Sequence, residues 1–142
     1  MNLISILLAS VLLVLSLIHV YWAFGGKAGL RVAVPHIDNQ AAFKPGSAIT
    51  FVVAIILLGL ASLMLLLSHF QYALPERIAV LAKYSGYAVS IVFFLRSVGD
   101  FKLVGFFKKV KQSRFATLDT YLYNPLCFSF GVVFFILAYR LE

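Results

Sequence analysis

Arg96 and Asp100 stand four residues apart in FFLRSVGDFK, where a long apolar run ends. Residues four apart share a helix face, so the guanidinium and the carboxylate are placed to pair. An aspartate at a helix C-terminus meets the negative end of the macrodipole. Asp100 therefore requires a cation nearby, either Arg96 or a lysine of the loop that follows. Charges inside a membrane span are expensive and mark functional sites by default. Arg96, however, lies about one turn from the interface and is long enough to snorkel. Two roles stay open for it, a structural pin and a ligand contact.

His19, in IHVYWAFGG, sits within another apolar run with Trp22 one turn on. It reads as a hydrogen-bonded histidine inside a bundle, as a proton-transfer or ligand-contacting group, or as a metal or haem ligand. Haem would want a second axial ligand, and the other histidines are poorly placed: His36 in a loop, His69 at the opposite end. His36-Ile37-Asp38 is weak as a metal pattern, so no metal site is expected, and no cofactor is specified. The single Cys127 excludes an internal disulfide and any multi-cysteine metal site. In an apolar helix without a nearby basic motif it reads as inert packing rather than a nucleophile. Asn124-Pro125 has the pattern of an N-cap with proline at the first helical position. Gly25-Gly26 is too short for a phosphate loop and, with Pro45-Gly46, punctuates a connection.

These residues need elements to hold them, and the composition says which. Hydrophobic residues make up 63% of the 142 and charged residues 12%, against about 45–50% and about 25% in soluble domains. Mean hydropathy is +1.01. Four apolar blocks, about 3–24, 47–68, 78–99 and 121–141, each reach the roughly 20 residues a membrane helix needs. The first lacks a basic leader and a small-residue cleavage site, so it reads as a retained helix. Four spans leave no length for a soluble domain. The expected fold is all-α, a single four-span membrane domain packed as a four-helix bundle.

Charge orients it. Lys27, Arg31, Lys44, Lys102, Lys108, Lys109, Lys111 and Arg114 fall in the first and third connections, whereas Arg77, Lys83 and Arg140 fall on the other side. The positive-inside rule then makes both basic loops cytoplasmic and leaves the N and C termini outside. Tyr72, Tyr84 and Tyr139 become outer anchors, Trp22 and Tyr121 inner ones. FKLVGFFKKVKQSRF interleaves aromatic and basic residues like an interfacial segment. Its cations would be drawn to anionic lipid by about 1 kcal/mol each. Nucleic acid is not an expected partner, because these residues lie against a membrane and form no recognition motif.

Spacings of three and four pick out a small or hydrogen-bonding stripe on each helix. They are Ser5, Ala9, Leu12, Ser16, His19 and Ala23; Ser47, Thr50, Ala54, Leu57, Ala61 and Ser68; Ala82, Gly86, Ser90, Phe93, Ser97 and Asp100; and Asn124, Cys127, Gly131, Phe134 and Ala138. If these faces meet, the bundle is dry at its outer end and polar in its cytoplasmic half.

The chain resembles a family of small four-helix bacterial membrane proteins catalogued only as a domain of unknown function. The likeness rests on His19-Val20-Tyr21-Trp22 with Gly25-Gly26, Arg96-x-x-Gly99-Asp100-Phe101, Gly105-Phe106-Phe107-Lys108, Phe115-Ala116-x-x-Asp119 and Tyr123-x-Pro125-Leu126-Cys127. The family often has serine where this chain has Asn124, which keeps a capping oxygen. The resemblance implies a four-span fold in a bacterial inner membrane and no assigned activity.

Three functions fit this reading. The first is a binder or carrier of a small amphipathic or anionic molecule, with Arg96 and Lys102 meeting the anion. Trp22, Tyr121 and Tyr123 would pack the apolar part, and His19, Asp119, Asp100 and Asn124 would complete the polar site. The second is an enzyme acting on a lipid or isoprenoid, with His19 as acid or base, Asp119 or Asp100 orienting it and Arg96 stabilising charge. The third is a structural subunit, self-associated or in a larger membrane complex. No acidic residue lies deep in a span, which argues against a conventional proton-driven pump.

Overall fold

The computed structural model describes residues 2–37, 40–69 and 73–141. Tyr72, expected as an outer anchor, and Asp38 lie outside the described residues. Among the described residues, four helices are long and apolar enough to cross a membrane: Leu3–Ala23, Ser47–His69, Glu76–Val98 and Arg114–Tyr139. The chain is therefore a multi-pass, all-α membrane bundle. Its elements are α1 (Asn2–Ala23), α2 (Leu30–Ala33), α3 (Ser47–His69), α4 (Glu76–Val98), α5 (Arg114–Leu118), a π-helical turn (Asp119–Tyr123) and α6 (Asn124–Tyr139). Among the described residues, extended pairing is confined to a short antiparallel ladder of β1 (His36–Ile37) with β2 (Gln40–Ala41).

Small residues decide which helices touch. In lipid, helices gain little by burying apolar surface, so close backbone approach and interhelical hydrogen bonds carry the association. Ser16 on α1 donates its hydroxyl to the Ala54 carbonyl on α3 at 2.7 Å. Ser90 on α4 donates to the Gly131 carbonyl on α6 at 2.8 Å. A Cβ at Gly86 would lie 2.9 Å from that of Ala138, and one at Gly131 2.9 Å from the Phe94 ring. Packed this way, α1 with α3 and α4 with α6 form two antiparallel pairs. Leu12, Met64, Leu67, Phe130, Phe134 and Leu137 fill the space between them. Phe93 stacks on Phe134, with planes 11° apart and centroids 6.1 Å apart.

Most of the predicted stripe residues lie on these faces, with His19, Ala23, Leu57, Phe93 and Cys127 only half-buried. Ser5, Ala9, Leu12 and Ser16; Thr50, Ala54, Ala61 and Ser68; Ala82, Gly86, Ser90 and Ser97; Asn124, Gly131, Phe134 and Ala138 are all buried. Ser47 and Asp100, at the stripe ends, are exposed.

The last span departs from the expectation. It begins at Arg114, not near Tyr121, because Ser113 caps it: its Oγ accepts from the Ala116 N–H at 3.0 Å. Asn124 is therefore no N-cap. It lies within the helix (φ −67°, ψ −49°), and its N–H bonds the Asp119 carbonyl five residues back. Pro125 has no N–H to give and its ring crowds the carbonyl four residues earlier. The wide π turn just upstream is where that mismatch is absorbed.

Both basic connections lie at one end of the bundle. The Trp22 indole N–H donates to the Ala28 carbonyl at 2.7 Å, closing the start of the first connection. The Tyr123 hydroxyl donates to the Val32 carbonyl at 3.2 Å, tying that connection to the fourth span.

Candidate functional site

Asp119 is the centre of the polar end. It sits in the π turn with no solvent exposure. A carboxylate taken out of water must be hydrogen-bonded and paired, and this one has four donors. Oδ1 accepts from Arg96 Nη2 at 2.8 Å. Oδ2 accepts from the Gly105 N–H at 2.9 Å, from Lys108 Nζ at 3.1 Å and from Asn124 Nδ2 at 3.3 Å. Arg96 also donates from Nη1 to Asn124 Oδ1 at 3.1 Å. Lys108 completes its three donors on the Gly105 carbonyl at 3.2 Å and Thr120 Oγ1 at 2.7 Å. The π turn has a geometric consequence here. One extra residue per turn rotates Asp119 and Asn124 onto the same side, five apart, where both reach Arg96.

Lys108 is only 3% exposed, and a loop delivers it. After α4 the chain turns at Gly99 (φ 85°) and again at Gly105 (φ 94°). The two glycines meet back to back, so a Cβ on Gly99 would run into the Val104 carbonyl and one on Gly105 into that of Val98. Asp100 holds the turn between them. Its Oδ1 accepts from the N–H groups of Lys102, Leu103 and Val104 at 2.9, 2.7 and 3.0 Å. Slight burial works to raise the Asp100 pKa, but the Val104, Leu103 and Lys102 N–H donors outweigh it and hold the carboxyl below its ordinary value. The Phe106 N–H then returns to the Ser97 carbonyl at 2.9 Å, fixing the loop under the end of α4.

The expected Arg96–Asp100 pair is thus replaced by two separate arrangements. Arg96 turns across the bundle to Asp119, the buried carboxylate that it neutralises together with Lys108. Asp100, at the water-facing end, is satisfied by the backbone of its own loop. Lys102 is exposed, as is Tyr121 at 80%.

His19 stands apart from the Asp119 cluster. Its Nδ1 lies 2.7 Å from the Leu15 carbonyl and its ring packs edge-on to Trp22 at 5.0 Å. A carbonyl only accepts, so Nδ1 carries the proton and Nε2 is left as an acceptor. No hydrogen bond or ion pair joins His19 to Asp119 or Asp100. Among the described residues no group of three His, Cys, Asp or Glu side chains is placed to hold a metal ion.

Sequence reasoning missed Lys108, Thr120 and Gly105 as members of the site. Lys108 counted only toward the basic loop, and nothing in a run of four lysines and an arginine marks which one folds inward. Its place within Gly105-Phe106-Phe107-Lys108 was the available signal.

Residues 12–134 match the model of a family described as Protein of unknown function (DUF3995). No curated protein and no solved structure matches the chain.

Proposed function

The chain belongs to the DUF3995 family, and we propose that it binds or carries an anionic, amphipathic small molecule or lipid at its basic, polar end. The setting is a bacterial inner membrane with that end cytoplasmic, which the bias of basic residues supports. One observation carries the reading. The cluster sets two cations against one carboxylate, and Arg96, whose side chain is 32% exposed, is the cation open to an outside partner. An excess positive charge at the edge of an apolar medium is costly unless an anion meets it.

In this reading Arg96 and Lys102 meet the anion and Tyr121 lies beside its apolar part. The polar ends of Trp22 and Tyr123 already hold the first connection and their rings pack against His19 and Phe115, so they would border the ligand only through the ring surface left over. His19 offers Nε2, and Asp119 and Asn124 hold Arg96 in position.

The test is native mass spectrometry of the protein from mild detergent, with Arg96→Gln and Arg96→Lys beside the wild type. An anionic lipid adduct is expected on the wild type and on Arg96→Lys, and weakened about tenfold or more on Arg96→Gln, as loss of a charged hydrogen-bond partner implies. An equal adduct on a folded Arg96→Gln, or none on the wild type, overturns it. The complete internal satisfaction of the cluster, with no buried polar side-chain atom left unbonded among the described residues, favours a second reading as a structural subunit. In that case Arg96→Gln lowers abundance or assembly and leaves lipid adducts alone.

A further inference from the structure

The two basic connections also enclose a cleft that the Arg96 cluster does not use. It measures about 340 Å³ and lies between α2–β1 and the start of α5, lined by Arg31, His36, Gln112, Ser113 and Arg114 over Phe115. That size falls at the lower end of small-molecule sites, roughly 300–1,000 Å³. Its walls are anchored. Phe115 is buried and packs 5.9 Å from the Tyr123 ring, and the Tyr123 hydroxyl holds the Val32 carbonyl on the facing wall.

Beside the apolar Val32 and Phe115, the rest of the lining offers hydrogen-bond donors. Arg31 and Arg114 are exposed, and no described carboxylate pairs with either. Ser113 Oγ accepts from the Ala116 N–H, so its own hydrogen is left to donate. His36 Nδ1 lies 2.7 Å from the Val34 carbonyl, which fixes the proton there and leaves Nε2 for another partner. Gln112 adds an amide. Planar guanidinium forks match phosphate oxygens two at a time. Charge then separates the classes of anion. A phosphomonoester carries about −1.5 to −2 near neutral pH, matching two permanent cations, whereas a carboxylate or a phosphodiester brings a single charge.

We propose that this cleft is a phosphomonoester site. The ester has two possible sources, a phosphatidic-acid-type head group entering from the leaflet or a soluble phosphate compound entering from water. The site is separate from Arg96 and stands or falls independently of it.

The experiment uses the full chain in phosphatidylcholine nanodiscs doped with phosphatidic acid or with phosphatidylglycerol, read by native mass spectrometry, and titration with inorganic phosphate. Arg31→Gln/Arg114→Gln removes both cleft cations. Lys109→Gln/Lys111→Gln removes the same charge from exposed positions at the same end. The cleft variant is expected to lose binding about tenfold or more, and the control about twofold at most, the scale of exposed charges. Preference for phosphatidic acid, undisturbed by inorganic phosphate, assigns the lipid source. Saturable inorganic phosphate binding without a lipid preference assigns the soluble one. Equal losses in the two variants reduce the site to general surface charge and overturn the proposal, as does undiminished binding in the cleft variant. The excess of phosphatidic acid over phosphatidylglycerol adducts, or saturable inorganic phosphate binding, reports this cleft, whereas the adduct common to both anionic lipids reports Arg96, so failure here and failure of the Arg96 reading are told apart.

Discussion

Charge counting around Asp119 predicts which of its partners matters most. Replacing Asp119 by Asn leaves Arg96 and Lys108 facing each other across a buried site with no anion. Breaking a buried pair in this way costs about 3–5 kcal/mol. Lys108→Met is a different experiment, because Arg96 and Asp119 remain one against one and the methionine fills most of the lysine's volume. Its cost is expected at about 1–3 kcal/mol, the scale of lost hydrogen bonds to a charge. Thermal unfolding in detergent should therefore rank wild type above Lys108→Met and Lys108→Met above Asp119→Asn. The reverse order would mean that Lys108, not Asp119, organises the cluster. The Asp119 arrangement was half legible. Arg96, Asn124 and Asp119 were named as candidates from their types and their place at the ends of spans. Their mutual pairing was not, because it depends on a π turn that no local propensity announces. Arg96 and Asp100 four apart gave the better local pattern, and the buried carboxylate across the bundle outcompeted it.

At the scale of elements, the loop between α4 and α5 is held by a device that responds to acid. The folded Asp100 carboxyl lies below its ordinary value of about 3.8. A group shifted down in the folded state stabilises it above the unfolded pKa, and that contribution is lost as pH falls through the folded value. Amide exchange at Lys102, Leu103 and Val104 should accordingly keep a constant protection factor from neutral pH down to about 5, then lose protection below about 4. Asp100→Ala should raise their exchange about fivefold at neutral pH, one hydrogen bond's worth of about 1 kcal/mol. Asp100→Asn keeps an acceptor and should abolish the acid step while retaining part of the protection. An acid step that persists in Asp100→Asn would assign the transition to another group. The helices around this loop were read more fully than the loop itself. A period of three and four residues identifies a helix face from type alone, so the buried stripes from Ser5 to Ala138 could be written down in advance. Loop geometry rests on Gly99 and Gly105 meeting back to back, a contact between residues six apart that no periodicity encodes.

For the whole molecule, the structure changes the weight of the orientation argument without reversing it. Lys108 was one of the eight basic residues assigned to one side, but it is buried and shares its charge with Asp119. Lys27, Arg31, Lys44, Lys102, Lys109, Lys111 and Arg114 remain exposed there, against at most three cations at the other end, Arg77 and Arg140 exposed and Lys83 half-buried. Each exposed cation near an anionic leaflet contributes about 1 kcal/mol, so the difference of at least four still favours holding the basic end on the cytoplasmic side. The tie from Tyr123 to Val32 places both basic connections at that one end, and an even number of spans then sends both termini to the other. Alkaline phosphatase fused after residue 142 should therefore be active in a bacterial host, and a green fluorescent protein at the same position should be dark. Replacing Lys102, Lys109 and Lys111 together by Gln removes most of the bias and should give a mixed population, with both reporters partly on. A bright fluorescent fusion on the wild-type chain would invert the topology. It would put Arg96, the Asp119 cluster and the Arg31–Arg114 cleft on the outer face, where any anionic partner would have to come from outside the cell.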